Sequence, residues 1–226
     1  MDYNYNFKLQ EKDSKSSIMT NFTPKMRSSL VQAIKNAYKW VSIWEKDPNN
    51  KVLTTYRSKY IRGNAIMTAV DYYIIEEIKL GNLNLNYNFE YTKNKSYPFL
   101  VLSNDEKTFK LTVNQVASIK SLPSFAVNRE ERINSYYSNL FLSEEDIEKE
   151  LTAEIFQLTH GYQTSEPGFI ILGIPDQNRS WFDFVNILQE PLIVRNDIKL
   201  TTSKVEAKVP NLSEMQESMN ELINNE

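Results

Sequence analysis

The chain contains no cysteine and a single histidine, His160, among 226 residues. The first absence excludes a disulfide framework, a zinc ribbon, a thiolate nucleophile and a Cys-ligated iron–sulfur cluster, and the second excludes any site that needs two histidines from one chain. Glycine is almost as scarce, with five in all. No two of them stand as G-x-G, so neither a phosphate-cradling P-loop nor a dinucleotide fingerprint can be written, and a nucleotide cofactor is not expected. No run approaches the roughly 18 consecutive apolar residues of a membrane helix, and the first fifteen residues lack the apolar stretch of a secretory signal, which points to a cytoplasmic protein without membrane association. There is no strong charge of either sign: the formal net charge is -3, and no basic stripe of the kind that neutralises phosphates is present.

What remains is the composition of a globular protein, 41% hydrophobic and 24% charged. Asn, Lys, Tyr and Ile are heavily used and Arg sparingly, a bias that fits an AT-rich bacterial or phage coding sequence. Residues 1 to 22 read as a polar arm with few apolar anchors. At Thr23-Pro24 a helix signal begins, threonine as cap and proline in the first turn. Met26, Leu30, Ala33, Ala37, Val41 and Trp44 then recur at steps of three and four until Asp47-Pro48. A second helical pattern runs from about Thr54 through Ile66, Val70, Ile74 and Ile78 to Gly81.

From Leu83 to Tyr91 every second residue is apolar, with Asn82, Asn84, Asn86 and Asn88 between. This strict alternation predicts an antiparallel strand with one wet face, its tyrosines and Phe89 turned to the core. Tyr97–Leu102 and Thr108–Val113 complete a meander. Helices are expected over Arg129–Phe141 and after Ser143, and strands over Ala153–Thr159 and Phe169–Ile174. The expected fold is therefore α+β: an antiparallel meander sheet packed against two long N-terminal helices, with further strands and short helices in the C-terminal half. One domain over residues 23 to 200 is expected, followed by a linker and a short acidic amphipathic helix within 201 to 226. There Leu212, Met215, Met219 and Leu222 keep helical spacing, and the two methionines suit an adaptable contact with a partner or a second copy.

Four groups of residues can carry function. Arg57, Lys59 and Arg62, early in the second helix, are placed for a phosphate or carboxylate contact, or for simple solvation. Pro175-Asp176 followed by Asp197-Ile198-Lys199 satisfies the loose pattern of PD-(D/E)xK nucleases. In that chemistry Asp176 and Asp197 would hold a divalent cation such as Mg2+ and Lys199 would orient the attacking water. Arg179, Trp181 and Phe184 form an aromatic and basic cluster typical of protein interfaces, or else close the core. His160, followed by Gly161-Tyr162 and unaccompanied by a G-x-S-x-G elbow, reads as structural. No other residue asks for a cofactor, and nucleic-acid binding by the aromatic strand would need its rings outward.

Taken in order, Tyr60-Ile61-Arg62-Gly63-Asn64, the hairpin from Tyr97 to Val116, Leu122-Pro123, Asn139-Leu140-Phe141 and Gly168 to Asp176 with Trp181 beyond are similar to features of bacterial proteins found beside ImmA/IrrE-type metallopeptidases. Those are toxin–antitoxin or phage-defence pairs. The chain lacks His-Glu-x-x-His, so the resemblance implies the non-peptidase partner of such a pair. It transfers no catalytic residue. The expected function is thus protein–protein binding in a conflict system, with the metal-dependent nuclease as the alternative.

Overall fold

The computed structural model describes residues 14–50, 58–91, 98–123, 154–161, 165–176 and 180–191. The expected helices over 129–141, after 143 and over 212–222 lie outside these residues. The fold is α+β: the described residues form three α-helices and one sheet of six strands, all but one of the strand pairs antiparallel.

Helix α1 spans Ser14–Asn21, within the segment that composition marks as a polar arm. Two residues account for the difference. Ile18 and Phe22, one turn apart, are fully buried. The Phe22 ring lies 5.0 Å from both Phe109 and Phe156. The Glu154 carboxylate accepts from Ser17 Oγ at 2.7 Å and Asn21 Nδ2 at 3.2 Å, tying the polar side of the same helix to the sheet.

Helix α2, Pro24–Lys46, opens with Thr23 Oγ1 accepting from the Met26 N–H at 3.3 Å and ends where Asp47 turns extended. Its buried stripe runs from Met26 through Leu30, Ile34 and Tyr38 to Val41. Helix α3, Ser58–Lys79, packs along it through Ala65, Ile66, Ala69, Val70 and Ile74. It stops at Gly81, whose φ of 71° is the left-handed conformation that glycine tolerates best.

The strands are β1 (Asn86–Tyr91), β2 (Pro98–Ser103), β3 (Phe109–Gln115), β4 (Glu154–His160), β5 (Ile170–Pro175) and β6 (Trp181–Asn186), and they lie side by side in chain order. The first three form the meander. β3 and β4 are instead parallel, with Leu111 opposite Phe156 and Gln115 opposite His160. Register puts Leu100, Leu102, Phe109, Leu111, Val113, Phe156, Leu158, Ile170, Leu172 and Ile174 on one face, and these join the helices in a single apolar core. Tyr87 and Phe89 pack against that core, while Tyr91 at the strand end is 48% exposed. β6 occupies a segment that the sequence pattern does not mark as a strand. Its alternation is masked by an irregularity opposite Ile174 and Pro175, where Trp181 rather than Phe182 pairs with Pro175.

Candidate functional site

The face of the sheet opposite the helices carries the first candidate. Trp181 and Phe184 on β6 lie there, their rings 5.9 Å apart. Trp181 packs on a small cluster of Val116, Phe169 and Ile171 that is separate from the main core, and its Nε1 donates to the Ile119 carbonyl at 3.2 Å. The two rings can lie so close to β5 because Gly173 stands beneath them. A Cβ there would come within 2.6 Å of the Asp183 carbonyl, 2.7 Å of Phe184 Cβ and 2.8 Å of Trp181 Cε3. Three apolar side chains on or near β6 are exposed: Phe182 at 52%, Ile119, whose carbonyl Trp181 bonds, at 40%, and Phe184 at 37%. The two aromatics therefore do not close the main core. They form an outer patch of the kind that marks interaction surfaces when apolar residues cluster rather than scatter.

A second, polar cluster lies between the helices and the carboxyl ends of β3 and β4. Tyr38 from α2 and His160 from β4 are both fully buried, with Tyr38 Oη 2.9 Å from His160 Nδ1. The same ring nitrogen lies 3.3 Å from the Gly161 carbonyl. His160 Nε2 and the neighbouring Gln115 Nε2 are buried without a hydrogen-bond partner. Burial lowers the histidine pKa to about 4, the Gly161 carbonyl pulling slightly the other way, so the ring is neutral. Burial likewise raises the Tyr38 hydroxyl, partly offset by the Gln115 side chain and by the charge of Arg62. Arg62 itself reaches from α3 to Glu45 on α2, its Nε 2.7 Å from the carboxylate. The next residue of α3, Gly63, packs against Gln115, whose Oε1 would be 3.6 Å from a Cβ at that position.

The remaining sequence candidates are placed as follows. Asp176 follows β5 and belongs to the tight connection into β6: its N–H donates to the Ser180 carbonyl at 2.8 Å, and its carboxylate accepts from Ser180 Oγ at 3.2 Å. Asp197 and Lys199 lie outside the described residues, as do Arg57, Arg179, Met215, Met219 and the side chain of Lys59. Among the described residues no group of three or more His, Asp or Glu side chains could hold a metal ion, and no helix is long and apolar enough to cross a membrane. Sequence reasoning named neither Tyr38 nor Gln115. Tyr38 sits on the apolar stripe of α2 and Gln115 at a strand end, and only the parallel pairing of β3 with β4 brings them to His160. Asp71 on α3 was also unmarked; burial of its carboxyl raises it to about 7.

Comparison with protein families, with curated proteins and with solved structures found no match to this chain.

Proposed function

We propose that this chain works by binding another protein through the outer face of its sheet, where Trp181 and Phe184 are anchors and Phe182 and Ile119 form an apolar rim. The observation that carries this reading is the location of the two rings, on the face away from the helices. An aromatic pair over a strand glycine, one ring held in place by a hydrogen bond from its indole, is a rigid surface. Rigid aromatics of this kind supply much of the binding energy in protein interfaces at little entropic cost. The setting we infer is a cytoplasmic bacterial or phage conflict system, in which this chain is the non-peptidase partner. That part rests on the resemblance in feature order and on the coding bias. The C-terminal Met215 and Met219 are a further contact in this reading, on the strength of their spacing.

The test is affinity capture of the tagged full chain from its native host, with and without phage infection, read by mass spectrometry and by nucleic-acid staining. A stoichiometric protein recovered in either condition is the expected result. Recovery of nucleic acid that is degraded on addition of Mg2+, but not in Asp176→Ala, would replace this reading with the nuclease.

A further inference from the structure

The two edge strands of the sheet, β1 and β6, are built differently. β6 carries devices that discourage pairing with a further strand. Its register with β5 shifts at Ile174 and Pro175, and the Phe184 N–H is already taken by the Asp183 carboxylate at 2.8 Å. Irregularities and charged side chains of this kind are how natural sheets blunt an edge. β1 has neither device. It pairs with β2 through six consecutive residues without a shift, contains no proline, glycine or lysine, and among the described residues β2 is its one neighbouring strand. Such an edge presents alternate backbone N–H and C=O groups to any extended chain that can lie against it. Its single charge, Glu90, is drawn to Lys110 of β3, whose Nζ lies 3.2 Å from the carboxylate.

We propose that β1 is a self-association edge, at which two copies of this chain pair antiparallel about a two-fold axis and continue the sheet from one molecule into the other. A two-fold contact sets each residue against one from the same strand, so the sequence of β1 must complement itself. Opposite residues in an antiparallel pair project from the same face, which restricts the axis to a residue position, and the central positions of β1 are Asn88 and Phe89. An axis at Asn88 would set Asn86 against Glu90 of the second copy. Asn86 Nδ2 already donates to the Asp105 carboxylate at 2.9 Å, so two acidic groups would then crowd one amide. An axis at Phe89 avoids this. Phe89 then meets Phe89 and Tyr87 meets Tyr91 on the helix side, where Tyr87 and Phe89 rest on the core and Tyr91 is 48% exposed. Aromatic residues directly opposite one another are a favourable cross-strand combination. On the other face the Asn88 amide meets the Glu90 carboxylate, once from each copy, a donor against an acceptor with no like charges opposed. The contact is a single strand pair, so a weak dimer in the micromolar range is expected. It lies at the end of the sheet remote from Trp181, so either proposal can fail while the other stands.

Sedimentation equilibrium of the full chain, at concentrations from about 10 µM to about 1 mM, tests the proposal with Asn88→Lys and Asn88→Glu run beside the parent. Asn88 is exposed, so both substitutions leave the fold intact. In the proposed register the ammonium group of Asn88→Lys faces Glu90 of the second copy, twice over by symmetry, and should tighten the dimer about fivefold. The carboxylate of Asn88→Glu faces the same Glu90 and should loosen it by about the same factor. Gln32→Lys, at an exposed position of α2, adds the same charge away from the strand and should leave the affinity at the parent's value. A chain that stays monomeric throughout, a dimer that fails to tighten in Asn88→Lys and loosen in Asn88→Glu, or one that Gln32→Lys tightens equally, would overturn the proposal.

Discussion

Replacing Asp71 by Asn should change the pH dependence of stability more than its stability at any one pH. In the native chain the Asp71 carboxyl is raised from 3.8 to about 7 by burial, so between those values the folded protein keeps a proton that the unfolded chain has released. Stability contributed by this group is present in full below pH 3.8 and is lost as the pH rises through 7. His160 acts in the opposite sense. Its pKa falls from 6.5 to about 4, so its contribution is full above pH 6.5 and is lost as the pH falls through 4. Each group changes stability by about 1.4 kcal/mol per pH unit where it is half of a mismatched pair of states. Their slopes cancel between about pH 4 and 6.5. In Asp71→Asn only the histidine slope survives, and the variant should gain on the parent by about 1.4 kcal/mol per unit from pH 4 to pH 7, a total of at most about 4 kcal/mol. Urea denaturation of both proteins at several pH values across this range reads the difference directly, and carboxylates common to both cancel. A stability difference that does not vary with pH would show that the Asp71 carboxyl is ionised in the fold.

Two further substitutions address what holds the sheet to the helices and to itself. Arg27 of α2 is buried, its Nε 2.7 Å from Glu190 and its Nη1 bonded to the Phe22 carbonyl. Glu190→Ala should cost about 3 kcal/mol by leaving a buried guanidinium without its carboxylate, measured as a lower urea midpoint at unchanged slope. Gly173→Ala places a methyl group against the Asp183 carbonyl and should cost about 2 kcal/mol while displacing β6. The accompanying change in environment of Trp181 is visible by tryptophan fluorescence in a background where Trp40 and Trp44 are replaced by Phe.

The mixed helix-and-sheet class was legible because its signals were local. Thr23-Pro24 coincides with the start of α2, Gly81 with the turn after α3, and the Asn-interleaved run 83–91 with an edge strand of the sheet. The first helix was not legible, since only two apolar residues, Ile18 and Phe22, carry it into the core, and their partners Phe109 and Phe156 are distant in the chain. β6 was hidden by the irregularity that sets Trp181 opposite Pro175. As for the sites, composition drew attention to Trp181 and Phe184 but could not say which face they occupy. That depends on register with β5. The Tyr38–His160–Gln115 cluster was invisible for a stronger reason: it needs the parallel pairing of β3 and β4, and no pattern within either strand announces a partner's direction.

The most direct measurement is quantitative affinity capture with the parent chain and Phe184→Asp side by side, each shown to have the same urea midpoint. Phe184 is 37% exposed, so a charge at this position leaves the main core intact while placing an unpaired carboxylate in the middle of the apolar patch. The account predicts a protein partner that the parent retains at stoichiometric yield and the variant loses by at least tenfold. Equal recovery of that partner by the two folded proteins would contradict it and move the contact away from the outer face of the sheet.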